Sequence, residues 1–341
     1  MRIIVVGAGP IGGIVGGRLA RHGNDVTLVD VDAEHVHAIR ERGLRVDVPD
    51  GSFNVSVPAI FPSEIKGKFD IGFIAVRSNY TGDVLASLAP HLDENSILVS
   101  LQNGINPPLL EEVVGPDRAI GTVVRMGSRR LGPGHVQTAA RGRLFIGHLN
   151  GTTTPQLKTV HSLLDAVIPT EVTDNILGVL WSKLTYTCLG LFGSLADESL
   201  KVICESEANR RLCVAFFGEV TGVGTAVGVR FEPLTEYNPL TFHPSRPFEA
   251  RLAALNEMAW QWKSDDRKGP VHQLKRGMRT EVDYTLGHVV REEGKAGIPT
   301  PLCRAVLRII HEIEEGKRPL QVQNYAELAA AYETEFVSER R

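Results

Sequence analysis

The hydrophobic pattern divides the chain into two textures, short apolar runs broken by glycine turns and then long stripes at helical spacing. Arg2-Ile3-Ile4-Val5-Val6 is a β-branched run of strand length that meets Gly7 without a spacer. Ile14, Val15, Leu19 and Ala20 then recur at helical spacing up to Gly23, a helix stop. Asp25–Val29 reads as a second strand, and 32–42 as a helix ended by Gly43. Two β-rich stretches, 44–48 and 53–61, flank the turn Pro49-Asp50-Gly51. Runs 69–76 and 96–101 are continuously apolar, as parallel strands covered on both faces are, with a helix over 81–92 between them. Ranges 119–125, 135–139 and 143–148 read as strands that extend the sheet in antiparallel fashion, and a helix over 155–167 closes the region at Pro169. From Asn175 the stripes lengthen into helices over 176–195 and 248–262, with a further helix expected within 268–284. The segment from Glu232 to Pro247 interrupts them with four prolines and reads as a lid, an interface or a surface excursion.

A length of 341 residues, 43% hydrophobic and 23% charged, suits two soluble domains with separate cores. The net charge of −3 gives no reason to expect nucleic acid or an anionic membrane as partner. Cys188, Cys204, Cys213 and Cys303 form no CxxC pair and read as reduced thiols of a cytoplasmic protein. The apolar start breaks at Gly7, and Arg18 and Arg21 stand where a signal peptide needs small neutral residues. No stretch approaches the roughly eighteen uninterrupted apolar residues of a membrane span. His35 and His37, two apart on a helix, face different ways, so no metal site is expected.

The chemistry starts in the glycine run Gly7-Ala8-Gly9-Pro10-Ile11-Gly12, which lies between a strand and a helix. Gly7 permits the tight turn, Gly9 lets backbone approach a pyrophosphate, and Gly12 allows close packing of helix on strand. Pro10 suits the first helical turn. Asp30 closes the second strand about twenty residues on, where a carboxylate accepts hydrogen bonds from an adenosine ribose and repels a 2′-phosphate. These residues predict an α/β chain with an N-terminal Rossmann-type dinucleotide-binding domain over 1–174 and a mainly α-helical C-terminal domain over 175–341. NAD(H) is the favoured cofactor, with NADP(H) the second candidate.

Four further residues stand out. Arg77 arrives at the carboxyl edge of the sheet, either as a cofactor contact or as a solvated strand-end charge. Asn103, in Gln102-Asn103-Gly104, reaches the same edge, either as part of a simple Asn-Gly turn or with its amide placed to meet the nicotinamide ribose or a substrate oxygen. Lys183, in Trp181-Ser182-Lys183-Leu184, has Val179, Leu180, Tyr186, Thr187 and Leu191 as helical neighbours. A desolvated lysine there is either a proton donor or a snorkelling core-edge residue. Glu281, on the expected 268–284 helix, shares a face with Leu274, Gly277, Met278 and Tyr284, so the two charges form either a structural ion pair or an acid–base pair.

Together with Arg279-Thr280-Glu281-Val282-Asp283-Tyr284, these motifs resemble the ketopantoate reductase (2-dehydropantoate 2-reductase) family along nearly the whole chain. The resemblance implies hydride transfer between a nicotinamide and a small 2-oxo or hydroxy acid in pantothenate biosynthesis. It further implies that Lys183 protonates the forming alkoxide, Glu281 holds Lys183 and the substrate hydroxyl, and Asn103 lines the site. Arg77 then replaces a lysine that meets the cofactor. Thr187 and Leu191 replace asparagines, and Gly269 replaces a serine, so substrate recognition at Thr187 and Gly269 departs from the family pattern. Lys268, Lys275 or Arg279 are the candidates to meet a substrate carboxylate. The alternatives are a different hydroxy acid or alcohol as substrate, or a catalytically silent NAD(H)-binding sensor. A 3-hydroxyacyl or opine dehydrogenase would need a histidine–carboxylate pair, and His272 and His288 fall in no such motif. The helical half leaves room for a homodimer.

Overall fold

The computed structural model describes residues 1–234, 237–263 and 269–338, which divide into two compact units, Met1–Leu177 and Gly178–Arg341. In the first unit, β1 (Arg2–Val6), α1 (Pro10–Arg21), β2 (Asp25–Val29) and α2 (Ala33–Arg42) follow the sequence pattern closely. β3 (Leu44–Val48), β4 (Gly51–Val55) and β5 (Ala59–Ile60) come next, then β6 (Ile71–Ile74), α3 (Thr81–Leu88), β7 (Ile97–Ser100) and α4 (Pro107–Val114). The unit ends with β8 (Ala119–Arg125), β9 (Ser128–Gly132), β10 (His135–Thr138), β11 (Arg143–Gly147), α5 (Pro155–Asp165) and β12 (Thr170–Val172).

Eight strands form the main sheet in the order β12-β11-β8-β7-β6-β1-β2-β5. From β5 to β8 all neighbours are parallel, and β11 pairs antiparallel with β8. Two expectations are corrected here: 119–125 joins β7 in parallel rather than antiparallel fashion, and 135–139 does not extend this sheet. β10 instead pairs with β3 and β9 in a second sheet of order β4-β3-β10-β9. The physical reason lies in α1, which carries Gly12-Gly13 and Gly16-Gly17. A Cβ on Gly12 or Gly16 would strike Ala75 or Leu28 on the main-sheet side, while one on Gly13 or Gly17 would press on Val136, Leu44 and Val46 of the second sheet. The glycine pairs let one helix lie close to both sheets, and the residues on its two sides merge into one buried core. Ile4, Val6, Leu88, Leu98 and Leu110 form the core on the opposite face.

The second unit is helical: α6 (Ile176–Phe192), α7 (Leu200–Ile203), α8 (Glu207–Ala226), α9 (Phe248–Trp260), α10 (Gly269–Leu274), α11 (Leu286–Ala296), α12 (Pro301–Glu314) and α13 (Asn324–Ser338). By length and composition Ile176–Leu195 could cross a bilayer, but 72% of that window is buried, with Trp181, Leu184 and Phe192 in the core. The described residues of the proline-broken segment are packed down. Glu232 N–H donates to Ser182 Oγ (3.1 Å), the Tyr237 hydroxyl donates to the Ser182 carbonyl (2.6 Å), and Phe242 stacks on Phe217 at 4.5 Å.

The helix expected within 268–284 is also corrected. α10 stops at Leu274, Gly277 takes the left-handed conformation (φ 64°), and Val282–Tyr284 is a single 3-10 turn. Thr280 explains the break, because its N–H and hydroxyl both donate to Glu314 of α12 at 2.7 Å and draw the chain off the helical path.

Candidate functional site

In the first unit the expected residues gather at the carboxyl ends of four adjacent parallel strands, β7, β6, β1 and β2, where open α/β sheets bind ligands. The three glycines of the loop have different physical roles. Gly7 has φ 97°, and a Cβ there would lie 2.8 Å from the backbone of Ala75 and Val76. A Cβ on Gly12 would lie 1.9 Å from the Gly7 carbonyl oxygen, so no side chain fits. A Cβ on Gly9 would meet nothing within 4 Å among the described residues, which leaves a cradle open in front of the loop. Pro10 opens α1 with no side-chain cap and no acidic residue in the first turn, so Ile11 and Gly12 present N–H groups and the positive end of the helix dipole. An open cradle against an uncapped helix start fits the pyrophosphate of a dinucleotide.

The loop is held from behind. Gly7 N–H donates to the Val29 carbonyl (2.8 Å), and Ala8 N–H donates to Asp30 Oδ2 (2.8 Å). Asp30 Oδ1 accepts from Asp32 N–H at 3.0 Å. Each Asp30 oxygen keeps a further lone pair for a ribose hydroxyl, so the carboxylate both builds the loop and remains able to bind. Sequence reasoning missed the other half of this clamp, which is His35. It is fully buried; Gly134 N–H donates to its Nδ1 (2.9 Å), which fixes the proton on Nε2, and Nε2–H donates to the Ala8 carbonyl (2.9 Å). The β9–β10 turn thereby reaches the glycine loop through one imidazole. The only sequence signal was a histidine on the buried side of α2.

Arg77 precedes a 3-10 turn after β6 and is half-buried, while the Asn103 side chain is exposed after β7. A buried polar network joins these loops. Gln102 Nε2 donates to Thr81 Oγ1 (2.7 Å) and to the Val76 carbonyl (3.1 Å). Asn106 Nδ2 (2.6 Å) and Ser78 Oγ (2.8 Å) both donate to the Asn103 carbonyl. Backbone bonding thus fixes where Asn103 presents its amide; Gln102, quoted above only as part of the Asn103 motif, is a positioning residue, as are Ser78 and Asn106, which the sequence did not single out.

In the second unit α6 is buried along most of its length, and Lys183, Tyr186, Thr187 and Gly190 form its open stripe at helical spacing. Lys183 is half-buried there, and Val179, Leu180 and Leu191 are core residues beside it. The expected apolar face is therefore the border of that stripe. The Thr187 hydroxyl donates to the Lys183 carbonyl (2.9 Å), so towards a ligand Thr187 is an acceptor. Tyr186 pairs with Tyr237 at 5.7 Å between ring centroids, and burial holds the Tyr237 phenol well above its usual pKa. Glu281 is half-buried at the start of the 3-10 turn, between the Thr280–Glu314 bonds and the Thr285 hydroxyl, which donates to the Glu281 carbonyl (2.9 Å). Trp181 of α6 meets His288 of α11 at 5.4 Å, and burial lowers the His288 pKa to about 4, so that ring is neutral at pH 7. Gly269 opens α10, and a Cβ there would meet nothing within 4 Å among the described residues. Lys275 is engaged by Asp197 at 2.6 Å, Arg279 is exposed, and Lys268 lies outside the described residues.

Against known proteins, residues 3–151 match the family model of ketopantoate reductase PanE/ApbA, and residues 175–314 match its C-terminal model. A 2-dehydropantoate 2-reductase of Pyrococcus abyssi is 29% identical across 93% of this chain and 100% of its own length. Among solved structures, a PanE/ApbA family ketopantoate reductase from Ralstonia eutropha superposes with TM-score 0.79 at 26% identity, covering 93% of this chain and 99% of that one. D-Mandelate dehydrogenase with NADH and anilino(oxo)acetate shares the fold, with TM-score 0.78 at 19% identity and the same coverage.

Proposed function

The chain belongs to the ketopantoate reductase PanE/ApbA family, and from that premise we propose an NADH-linked reductase of a small 2-oxo acid, with 2-dehydropantoate as the first substrate to test. It is a nicotinamide-dependent oxidoreductase acting on a CH–OH/C=O group. When bound, the nicotinamide supplies or accepts the hydride at the carbonyl carbon. The chain's own residues do the rest. Ile11 and Gly12 N–H groups hold the pyrophosphate, Asp30 accepts from the adenosine ribose, and Arg77 and Asn103 bind from the neighbouring loops. In reduction, Lys183 Nζ gives a proton to the forming alkoxide oxygen, and in oxidation it takes that proton back. Glu281 orients the ammonium and accepts from the substrate hydroxyl, and Thr187 offers a second acceptor.

The observation that carries this reading is the Lys183 stripe, a cation with a threonine and a glycine on the open face of an otherwise buried helix. Lys183→Ala should lower kcat by roughly 10²–10⁴-fold, the usual worth of a general acid, with NADH affinity kept. A variant that turned over at the parent rate would remove the mechanism. The NADH preference is supported by Asp30 and by exposed Val31, which leaves no cation directly after the carboxylate. The ratio of kcat/KM for NADH and NADPH tests it separately.

A second substrate reading has its own observation. Leu191 is buried in the core, and exposed Tyr186 stands beside Lys183 in contact with Tyr237. This favours a 2-oxo acid with a larger apolar or aromatic group, and D-mandelate dehydrogenase, of like fold, is known bound to anilino(oxo)acetate. Turnover of phenylglyoxylate above that of 2-dehydropantoate would select it. Tight NADH binding with no turnover on either acid would select a silent sensor instead.

A further inference from the structure

The second unit holds a cavity of about 320 Å³ that none of the residues given a role above lines. It is at the small end of ligand pockets, which run from roughly 300 to 1,000 Å³. Its walls come from α8, α9, α13 and the turn into α12, and Phe248, Ile298, Pro299 and Pro301 make them largely apolar. Arg251 of α9 and Tyr332 of α13 supply polar groups.

Arg251 is the unusual member. Its Nε is buried without a hydrogen-bond partner, and among the described residues no carboxylate lies within ion-pair distance of its guanidinium. Its close company is the ring of Phe248, 5.1 Å from the guanidinium carbon to the ring centroid. Burial lowers its pKa, and nearby Tyr332 only partly opposes that. Arg210 also has a buried, unpartnered Nε, but its Nη1 donates to the Cys204 and Glu205 carbonyls at 2.7 and 3.1 Å. Glu219, the acid on the same wall, already accepts from the Leu302 and Cys303 N–H groups at 2.9 and 2.8 Å, where it caps α12. Gly218 adds room, since a Cβ there would lie 2.9 Å from Arg251 Nη1. A half-buried guanidinium whose buried Nε–H has no acceptor is costly, and its planar fork matches one carboxylate.

We propose that this cavity binds a small organic monocarboxylate, with the carboxylate on Arg251 and the apolar body against Phe248, Ile298 and the Pro299–Pro301 turn. The site is distinct from the Lys183 stripe and does not depend on the substrate assigned above. The test uses the full chain with 4-fluorophenylacetate and its neutral match 4-fluorophenethyl alcohol, each titrated by ¹⁹F NMR. The acid should bind about tenfold more tightly than the alcohol, the worth of a charge-assisted hydrogen bond. Lys183→Ala should leave that preference intact. Arg251→Gln should erase it, and Ala215→Phe, which fills the cavity, should abolish binding of both probes. The comparison of acid with alcohol in the Lys183→Ala chain needs neither cavity variant to fold. Equal binding of the two probes there, loss of acid binding in that variant, or no binding up to the solubility limit would each overturn the proposal.

Discussion

The glycine loop of the first unit and the Lys183–Glu281 region of the second solve different problems. The loop presents backbone N–H groups, so its geometry is written into short-range steric rules, and a change of one carbon decides whether it forms. The second region presents side chains from elements far apart in sequence, and its geometry depends on capping and tertiary hydrogen bonds, such as Thr280 to Glu314. A backbone site is legible and brittle, whereas a side-chain site is harder to read and easier to retune.

The largest effect that can break this contrast is at Gly12. Gly12→Ala puts a carbon 1.9 Å from the Gly7 carbonyl and should cost on the order of 3 kcal/mol of stability as well as cofactor binding. Gly9→Ala, facing open space, should unfold at the parent's denaturant midpoint within about 0.5 kcal/mol yet raise the NADH KM. Equal destabilisation of the two would show that the loop is not divided in this way.

Next comes His35. His35→Asn keeps an acceptor near the Nδ1 position for Gly134 but loses the donor to Ala8, and His35→Gln does the reverse. Each should cost roughly 1–3 kcal/mol for the unsatisfied group. Only His35→Asn should raise the NADH KM severalfold at unchanged kcat, and a KM that merely follows melting temperature in both would reduce His35 to a packing residue.

In the second unit, His288 sets an acid limit. Its folded pKa of about 4 lies below the unfolded value near 6.5, so between these pH values the unfolded chain binds the extra proton. Stability should therefore fall as pH drops from about 6.5 to about 4, by at most about 3 kcal/mol after allowing for partial exposure. His288→Gln should flatten that part of a stability–pH curve, and an unchanged slope would assign the acid loss elsewhere. The smallest effect belongs to Gly269→Ser. Among the described residues nothing lies within 4 Å of its Cβ, so stability should shift by less than about 0.5 kcal/mol. If 2-dehydropantoate is the substrate, its KM should drop; if not, steady-state kinetics with 2-dehydropantoate will show no gain.

What the sequence disclosed follows the same division. Gly7, Gly9, Gly12 and Asp30 could be placed around one loop from spacing because strand, turn and helix are contiguous there. The second sheet could not, because β3 and β10 pair across some ninety intervening residues, and hydrophobic alternation carries no partner label. A clue was present in the doubled glycines of α1, which have no use in a helix packed on one side only. Around Glu281, Leu274 and Met278 repeat at helical spacing and mimic a continuous helix. Gly277 and Thr280 overrule them, the first by its left-handed backbone and the second by bonds to a residue far along the chain. His35 and His37 face different ways on a helix, which argues against a metal site, but nothing in a sequence announces a backbone carbonyl as the partner of His35.

The glycine pairs of α1 have one more consequence. Four interior glycines, each worth up to about 1 kcal/mol against helix formation relative to alanine, make α1 an intrinsically reluctant helix. Confinement between Leu28 on one side and Val136 on the other therefore decides whether it winds at all. The helix start proposed to hold the pyrophosphate then comes into being only once both sheets have closed on it, so an insertion in the β9–β10 turn, remote in sequence, should be felt as lost affinity for the nucleotide.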